Sequence, residues 1–260
     1  MTFITRRCAA LLMMILCCTT LAAAEEYPSR ERIMLRGHAQ VLHIYGTRGG
    51  TPFIVSSGDG GWIHLGPHVA EVLAANGGFV VGFDAKAYLE SFTGDAAQRA
   101  GNVPADYKVL LDFAAKGATA KPILVGVSEG AGLSVLAAVD PQIKAAIAGV
   151  IGLGLPDHNE LGWRWNDSII YLTHGAPREP WFSTAAIVAE LAPVPLAAIH
   201  STHDEYVPAG EVHQILDRAS EPKRLWLIDA GNHRFGDRLP EFDQQLLEAI
   251  GWIKTHAPSR

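Results

Sequence analysis

KPILVGVSEGAGLSVLAAV, residues 121–139, decides the fold. Its first part, 121–127, is an apolar run of strand length, and its last part, 130–139, is small and apolar and reads as a helix. The joint between them is Gly126-Val127-Ser128-Glu129-Gly130, a G-x-S-x-G pattern. A serine on so short a joint sits on a sharp turn with its hydroxyl raised above the sheet. Small residues at 126, 130 and 132 let strand and helix approach closely. The bare pattern recurs by chance, so its meaning rests on this strand-turn-helix context and on partners further along the chain.

Working outward, apolar runs at 39–45, 51–57, 79–83, 143–151, 194–200 and 223–228 read as further strands. Amphipathic stretches at 65–75, 104–116, 209–219 and 241–255 read as helices, with a short one at 184–191. Residues 25–37 are polar and are expected to be a peripheral lead-in, while 85–101 fit no single element. Strands alternate with helices and several strands are almost continuously apolar. That argues for an α/β fold with a mostly parallel sheet covered on both faces. Residues 152–182 interrupt this rhythm. They hold Trp163, Trp165, Tyr171, Trp181 and Phe182 among prolines and glycines, and are expected to form a small cap or loop excursion bordering the site.

Arg6 and Arg7, then an apolar run from Ala9 to Leu21, then Ala22-Ala23-Ala24, have the layout of a secretory signal with cleavage expected after Ala24. The apolar run is shorter than the ~20 residues that span a bilayer, so no transmembrane segment is expected in the mature chain. Residues 25–260 are then expected to form one domain of an exported chain. All three cysteines, Cys8, Cys17 and Cys18, fall in the signal. The mature chain therefore has no disulfide, thiolate ligand or cysteine nucleophile. The net charge of −6 becomes about −8 once Arg6 and Arg7 are removed, and no basic cluster remains, which argues against nucleic acid as a partner.

A nucleophilic serine needs a base, and the base an orienting acid. After the strand at 194–200 the chain reads Ser201-Thr202-His203-Asp204-Glu205-Tyr206, and after the strand at 223–228 it reads Asp229-Ala230-Gly231-Asn232-His233. Ser128, Asp204 and His233 give the order Ser…Asp…His of α/β-hydrolases, each on a loop beyond the C-terminal end of its strand. Asp229 and Glu205 are rival acids, and His203 a rival base. An oxyanion would be held by the backbone N–H of Glu129 and by a second donor in the glycine-rich loop 58–62, with Trp62 first by chain order and Gly61 next. Asp59, Glu129, Glu160 and Glu205 bring negative charge near the site and suit an amine-bearing substrate. Trp163 and Trp165 are candidate walls of the substrate pocket. No cofactor is required. The loop lacks the lysine and Ser/Thr of a phosphate-binding motif. His64, His68 and Glu71 share a helical face, but a polar face near a site explains them without a metal.

The block Ser57-Gly58-Asp59-Gly60-Gly61-Trp62, the run AANGGFVVG at 74–82, Asp84 and the serine motif together resemble the bacterial VirJ/AcvB virulence-protein family within the α/β-hydrolase superfamily. The resemblance is strongest over 51–132. It departs after Asp84, where this chain has Ala85-Lys86-Ala87-Tyr88-Leu89, and at Glu129. It implies an exported, periplasmic protein that hydrolyses aminoacyl esters of phosphatidylglycerol, with Ser128, Asp204 and His233 as the triad. The expectation is thus an exported serine hydrolase acting on a small ester or a lipid headgroup, in transient contact with a membrane surface. A peptidase or amidase of the same fold, or a non-catalytic envelope binding protein, are the alternatives.

Overall fold

Eight strands form one sheet in the order β1-β2-β4-β3-β5-β6-β9-β10. They are β1 (Ser29–Leu35), β2 (His38–Tyr45), β3 (Thr51–Ser56), β4 (Gly78–Phe83), β5 (Ile123–Val127), β6 (Gly149–Leu153), β9 (Leu196–Ser201) and β10 (Lys223–Ile228). This is a computed structural model that describes residues 28–164 and 179–258. The first two strands pair antiparallel, β1 with β2 and β2 with β4, and the other six run parallel. A short antiparallel ribbon, β7 (His158–Glu160) with β8 (Trp181–Ser183), stands apart from the main sheet.

The inner parallel strands β3, β4, β5, β6 and β9 read as largely apolar runs because both of their faces are covered, whereas the edge strand β10 exposes Arg224 and Leu227. Along β3, Phe53 and Val55 point into one core and Ile54 into the other; along β5, Ile123 and Val125 oppose Leu124 in the same way. One core is closed by α1 (Leu65–Ala75) and the C-terminal helix α8 (Leu239–His256), through Leu65, Val69, Leu73, Phe242, Leu246 and Ile250. The other is closed by α3 (Ala96–Ala115), α4 (Glu129–Ala138) and α7 (Ala209–Arg218), through Tyr107, Leu110, Leu133, Val212 and Ile215. Burying each such side chain is worth roughly 1.5–3 kcal/mol, so three layers are the stable arrangement for this pattern. Among the described residues no helix is long and apolar enough to cross a membrane.

Four elements differ from the sequence expectation. Ser29–Leu35 is an edge strand rather than a lead-in; only Leu35 is buried, and its apolar end, Ile33-Met34-Leu35, is too short to read as a strand. Residues 85–101 contain α2 (Ala85–Glu90), capped by Asp84, and the first turns of α3, which starts at Ala96 with Asp95 as its cap. Pro104 was expected to open that helix and instead lies inside it. The expected strand at 143–151 is divided between α5 (Pro141–Ala146) and β6. The Asp140-Pro141 pair is a helix start, with Asp140 accepting N–H bonds from Gln142 and Ile143. Residues 184–191 form a one-turn helix, α6 (Thr184–Ile187), followed by a 3-10 turn. The expected signal at 1–24, and Trp165 and Tyr171 in the excursion, lie outside the described residues.

Candidate active site

Ser128 occupies the joint between β5 and α4 at φ 51° and ψ −120°, a conformation that L side chains adopt rarely. The neighbouring glycines make the joint possible. A methyl group at Gly126 would lie 2.2 Å from the Gly130 carbonyl oxygen, and one at Gly130 would lie 2.3 Å from that of Ser57. Ser128 N–H donates to the Leu153 carbonyl (2.9 Å), which ties the turn to the end of β6.

Asp204 and His233 follow β9 and β10 and meet beside this turn. His233 Nδ1 lies 2.5 Å from Asp204 Oδ2, with the aspartate side chain wholly buried. The other carboxylate oxygen accepts N–H bonds from Tyr206 (2.9 Å) and Val207 (2.8 Å). Burial acts to raise the pKa of Asp204. The hydrogen bond and charge of His233, with the two backbone donors, outweigh it and hold the carboxyl below its ordinary range. With its Nδ1 proton directed at Asp204, His233 presents Nε2 as a base. The imidazole packs over Gly154, where a methyl group would lie 2.4 Å from Cε1, and its backbone N–H donates to Glu205 Oε2 (2.7 Å). Below the pair, His200 Nε2 lies 2.9 Å from the Val207 carbonyl, and burial lowers the pKa of this ring. The rivals sit elsewhere: His203 Nδ1 and Asp229 Oδ1 are 3.3 Å apart and largely exposed.

Ser128 and His233 line the same cavity, of about 480 Å³, together with Asp59, Gly61, Glu129, Trp163, Lys86, Tyr206 and Arg234. Among the described residues no hydrogen bond joins the Ser128 hydroxyl to the imidazole; such contacts tighten when substrate binds. Tyr206 meets the His233 ring edge-on at 5.5 Å, and Lys86 Nζ lies 5.3 Å from the centre of the Trp163 ring.

The glycine-rich loop corrects the expected second oxyanion donor. Trp62 N–H is engaged with Asp84 Oδ2 (3.3 Å), and Gly61 N–H with the Gly58 carbonyl (3.0 Å). The Trp62 ring turns away to cover Gly82, where a methyl group would strike it at 2.3 Å, and stacks on His43. The part of the loop that abuts the nucleophile is Gly58, where a methyl group would lie 3.4 Å from Ser128 Cβ. Gly58 N–H and Glu129 N–H donate to no other group among the described residues. The available signal was position: Gly58 lies nearer the end of β3 than Gly61 and Trp62 do.

The acids divide as well. Glu205 holds the backbone of His233 and does not line the cavity. Glu129 does line it, but its carboxyl accepts the Glu160 N–H, and burial pushes its pKa well up. Burial also raises Asp59, opposed by the charge of His233. Lys86, Tyr206 and Arg234 are cavity residues the sequence did not single out. His64, His68 and Glu71 do not converge: His68 bonds Asp243 (2.7 Å), His64 lines the cavity, and Glu71 lines a different hollow.

The family model of the bacterial virulence protein VirJ matches residues 51–164, which bears out the resemblance read from the sequence. No curated protein matches the chain. Among solved structures, Est1E from Butyrivibrio proteoclasticus is similar at TM-score 0.62 and 16% identity, over 86% of this chain and 98% of that one. The α/β hydrolase GrgF from Penicillium sp. sh18 has TM-score 0.62 and 12% identity, over 88% and 98%. A membrane phospholipase A described as a bacterial virulence factor has TM-score 0.62 and 11% identity, over 87% of each chain. The fold is the α/β-hydrolase fold.

Proposed function

We propose that this protein is an exported serine hydrolase that cleaves a carboxylic ester through an acyl-enzyme. The observation that carries the reading is a strained serine at a strand-helix elbow, sharing one cavity with a buried Asp-His pair. Ser128 Oγ attacks the carbonyl carbon while His233 Nε2 takes its proton, and Asp204 balances the imidazolium. The oxyanion is met by Glu129 N–H and by Gly58 N–H. The alcohol departs with the proton from His233. Water, deprotonated by the same imidazole, then attacks the acyl-serine and releases the acid.

The finer reading is an aminoacyl ester of phosphatidylglycerol, the class implied by the VirJ resemblance. Its support in the cavity is the presence of both signs of charge. Asp59, next to the Gly58 that abuts Ser128, suits an ammonium on the acyl side. Lys86 and Arg234 suit a phosphate on the alcohol side, Arg234 directly following the base. Such a substrate is met at a membrane surface and needs no spanning segment. The test is incubation of the purified protein, lacking residues 1–24, with mixed membrane lipids and mass analysis of the products. Loss of the aminoacyl lipid with wild type but not with Ser128→Ala is expected. An unchanged aminoacyl lipid would refute the finer reading. Failure of a fluorophosphonate to label Ser128, where it labels a known serine hydrolase, would refute the enzyme.

A further inference from the structure

Asp84 directly follows β4 and plays no part in the chemistry above, yet it anchors the glycine-rich loop beside the nucleophile. Its two oxygens divide between two structures. Oδ1 accepts Ala87 N–H (3.0 Å) and caps α2, while Oδ2 accepts Trp62 N–H (3.3 Å) at the far end of the glycine-rich loop. Gly61 makes this approach possible. It sits at φ 88°, and a methyl group there would lie 3.4 Å from both carboxylate oxygens. The start of the loop is held from the same place. Ser57 N–H donates to the Phe83 carbonyl (2.9 Å), and Ala85 N–H donates to Ser57 Oγ (3.0 Å), which in turn donates to the Gly58 carbonyl (3.1 Å). Residues 83–85 therefore grip both ends of a loop whose first glycine leaves room for no more than a methyl group beside Ser128.

We propose that Asp84 is a positioning residue, fixing the 58–62 loop so that the Gly58 N–H serves the Ser128 oxyanion site, while the Asp59 N–H is taken by its own carboxyl. It touches no substrate. Its effect lies on the transition state rather than on binding, because donors misplaced by about 1 Å cost on the order of 100-fold in rate. The inference deepens the hydrolase reading and rests on it for its catalytic half only; the mechanical half stands on the loop itself.

The two halves are tested together on Asp84→Asn and Asp84→Ala in the chain lacking residues 1–24. Asparagine still caps a helix well, so it keeps α2 while weakening the hold on Trp62. Alanine removes both contacts. Amide hydrogen exchange is read over peptides covering 57–63, with β5 and β6 as the folding control. Fluorophosphonate labelling of Ser128 gives the rate. The expected result is faster exchange confined to 57–63 in Asp84→Ala and labelling roughly 10- to 100-fold slower. Asp84→Asn is expected to lie between it and wild type. On an ester substrate the loss is expected in kcat with KM held. Unchanged exchange over 57–63 in Asp84→Ala overturns the clamp. Faster exchange with unchanged labelling overturns the positioning role. A wild-type protein that does not label at all sinks the hydrolase reading, and exchange then judges the clamp alone.

Discussion

Replacing Ser128 by glycine is expected to stabilise the protein while removing its nucleophile. The serine is held at φ 51° and ψ −120° by the strand-helix joint around it. A non-glycine residue in such a sparsely populated conformation costs on the order of 1–3 kcal/mol, and glycine relieves most of that. Glycine also loosens the unfolded chain, which takes back about 0.4–1 kcal/mol. The hydroxyl forms no hydrogen bond to His233, so little is lost with it. The net gain is about 1–2 kcal/mol, and a domain of this size shifts about 2–4 °C in Tm for each kcal/mol. A rise of about 2–8 °C over wild type follows. Ser128→Ala is the control, since it removes the hydroxyl but keeps the Cβ and so the strain. Scanning calorimetry of wild type and both variants at one scan rate reads the difference. A glycine variant melting at or below the alanine variant would show that the elbow stores no strain and would refute the argument.

Other expectations test the packing and charge around the site. Gly154→Ala places a methyl group 2.4 Å from His233 Cε1 at a position already at φ 58°, so the imidazole must move. Labelling of Ser128 is expected to fall on the order of 100-fold, and a rate within twofold of wild type would contradict the packing. Gly132→Ala drives a methyl group to 1.7 Å from Asn159 Oδ1, beneath the β7–β8 ribbon. A loss of about 1–3 kcal/mol in urea unfolding is expected, and no loss would mean that the ribbon yields freely. Glu129 has its pKa raised by burial, so its contribution to stability is full below the ordinary carboxyl range and is lost as pH rises through its folded value. Glu129→Gln keeps the acceptor for Glu160 N–H without that loss. The variant should therefore gain on wild type as pH is raised from 4 to 8, and a constant difference in denaturant midpoint across that range would count against a buried, protonation-sensitive carboxyl.

Residues 121–139 were legible because the elbow is a local device: the two flanking glycines and the apolar runs needed for it are contiguous. The strands at 51–57, 79–83 and 194–200 were legible for the related reason that burial on both faces leaves few polar positions, whereas the edge strand at 223–228 was legible from its apolar half, Leu225 to Ile228. Ser29–Leu35 was not, since an edge strand with one buried residue has the composition of a loop. The helix at Pro141–Ala146 was hidden by Ile143 and by the alanines that run on into β6, although Asp140-Pro141 marked its start. Chain order ranks Trp62 first and Gly61 next as the second oxyanion donor, and it cannot show that both N–H groups are already engaged. Only the three-dimensional path shows that the Asp84 carboxyl has already engaged the Trp62 N–H. Glu205 was read as a pocket charge from its place beside Asp204, but adjacent residues on a turn point in different directions, and its carboxylate reaches the His233 backbone.

The carboxyls near the nucleophile have the same intrinsic chemistry, and what separates them is how each is hydrogen-bonded and how far each is removed from water. Asp204 receives a ring proton and two backbone donors, enough to keep it ionised despite burial, and so it can stabilise an imidazolium. Glu129 receives one backbone donor in a buried setting and is driven toward the neutral acid, which makes it a structural link between the elbow and the ribbon rather than a charge for the substrate. Asp59 lies between these cases: burial raises it and His233 opposes the rise. Pairs of acids pushed apart in this way take different roles at one pH. Of the acids the sequence offered for a cationic substrate, Asp59 and Glu129 line the cavity, and Asp59 is the one whose rise the charge of His233 opposes. An ammonium group brought beside it would favour the ionised form that burial alone disfavours.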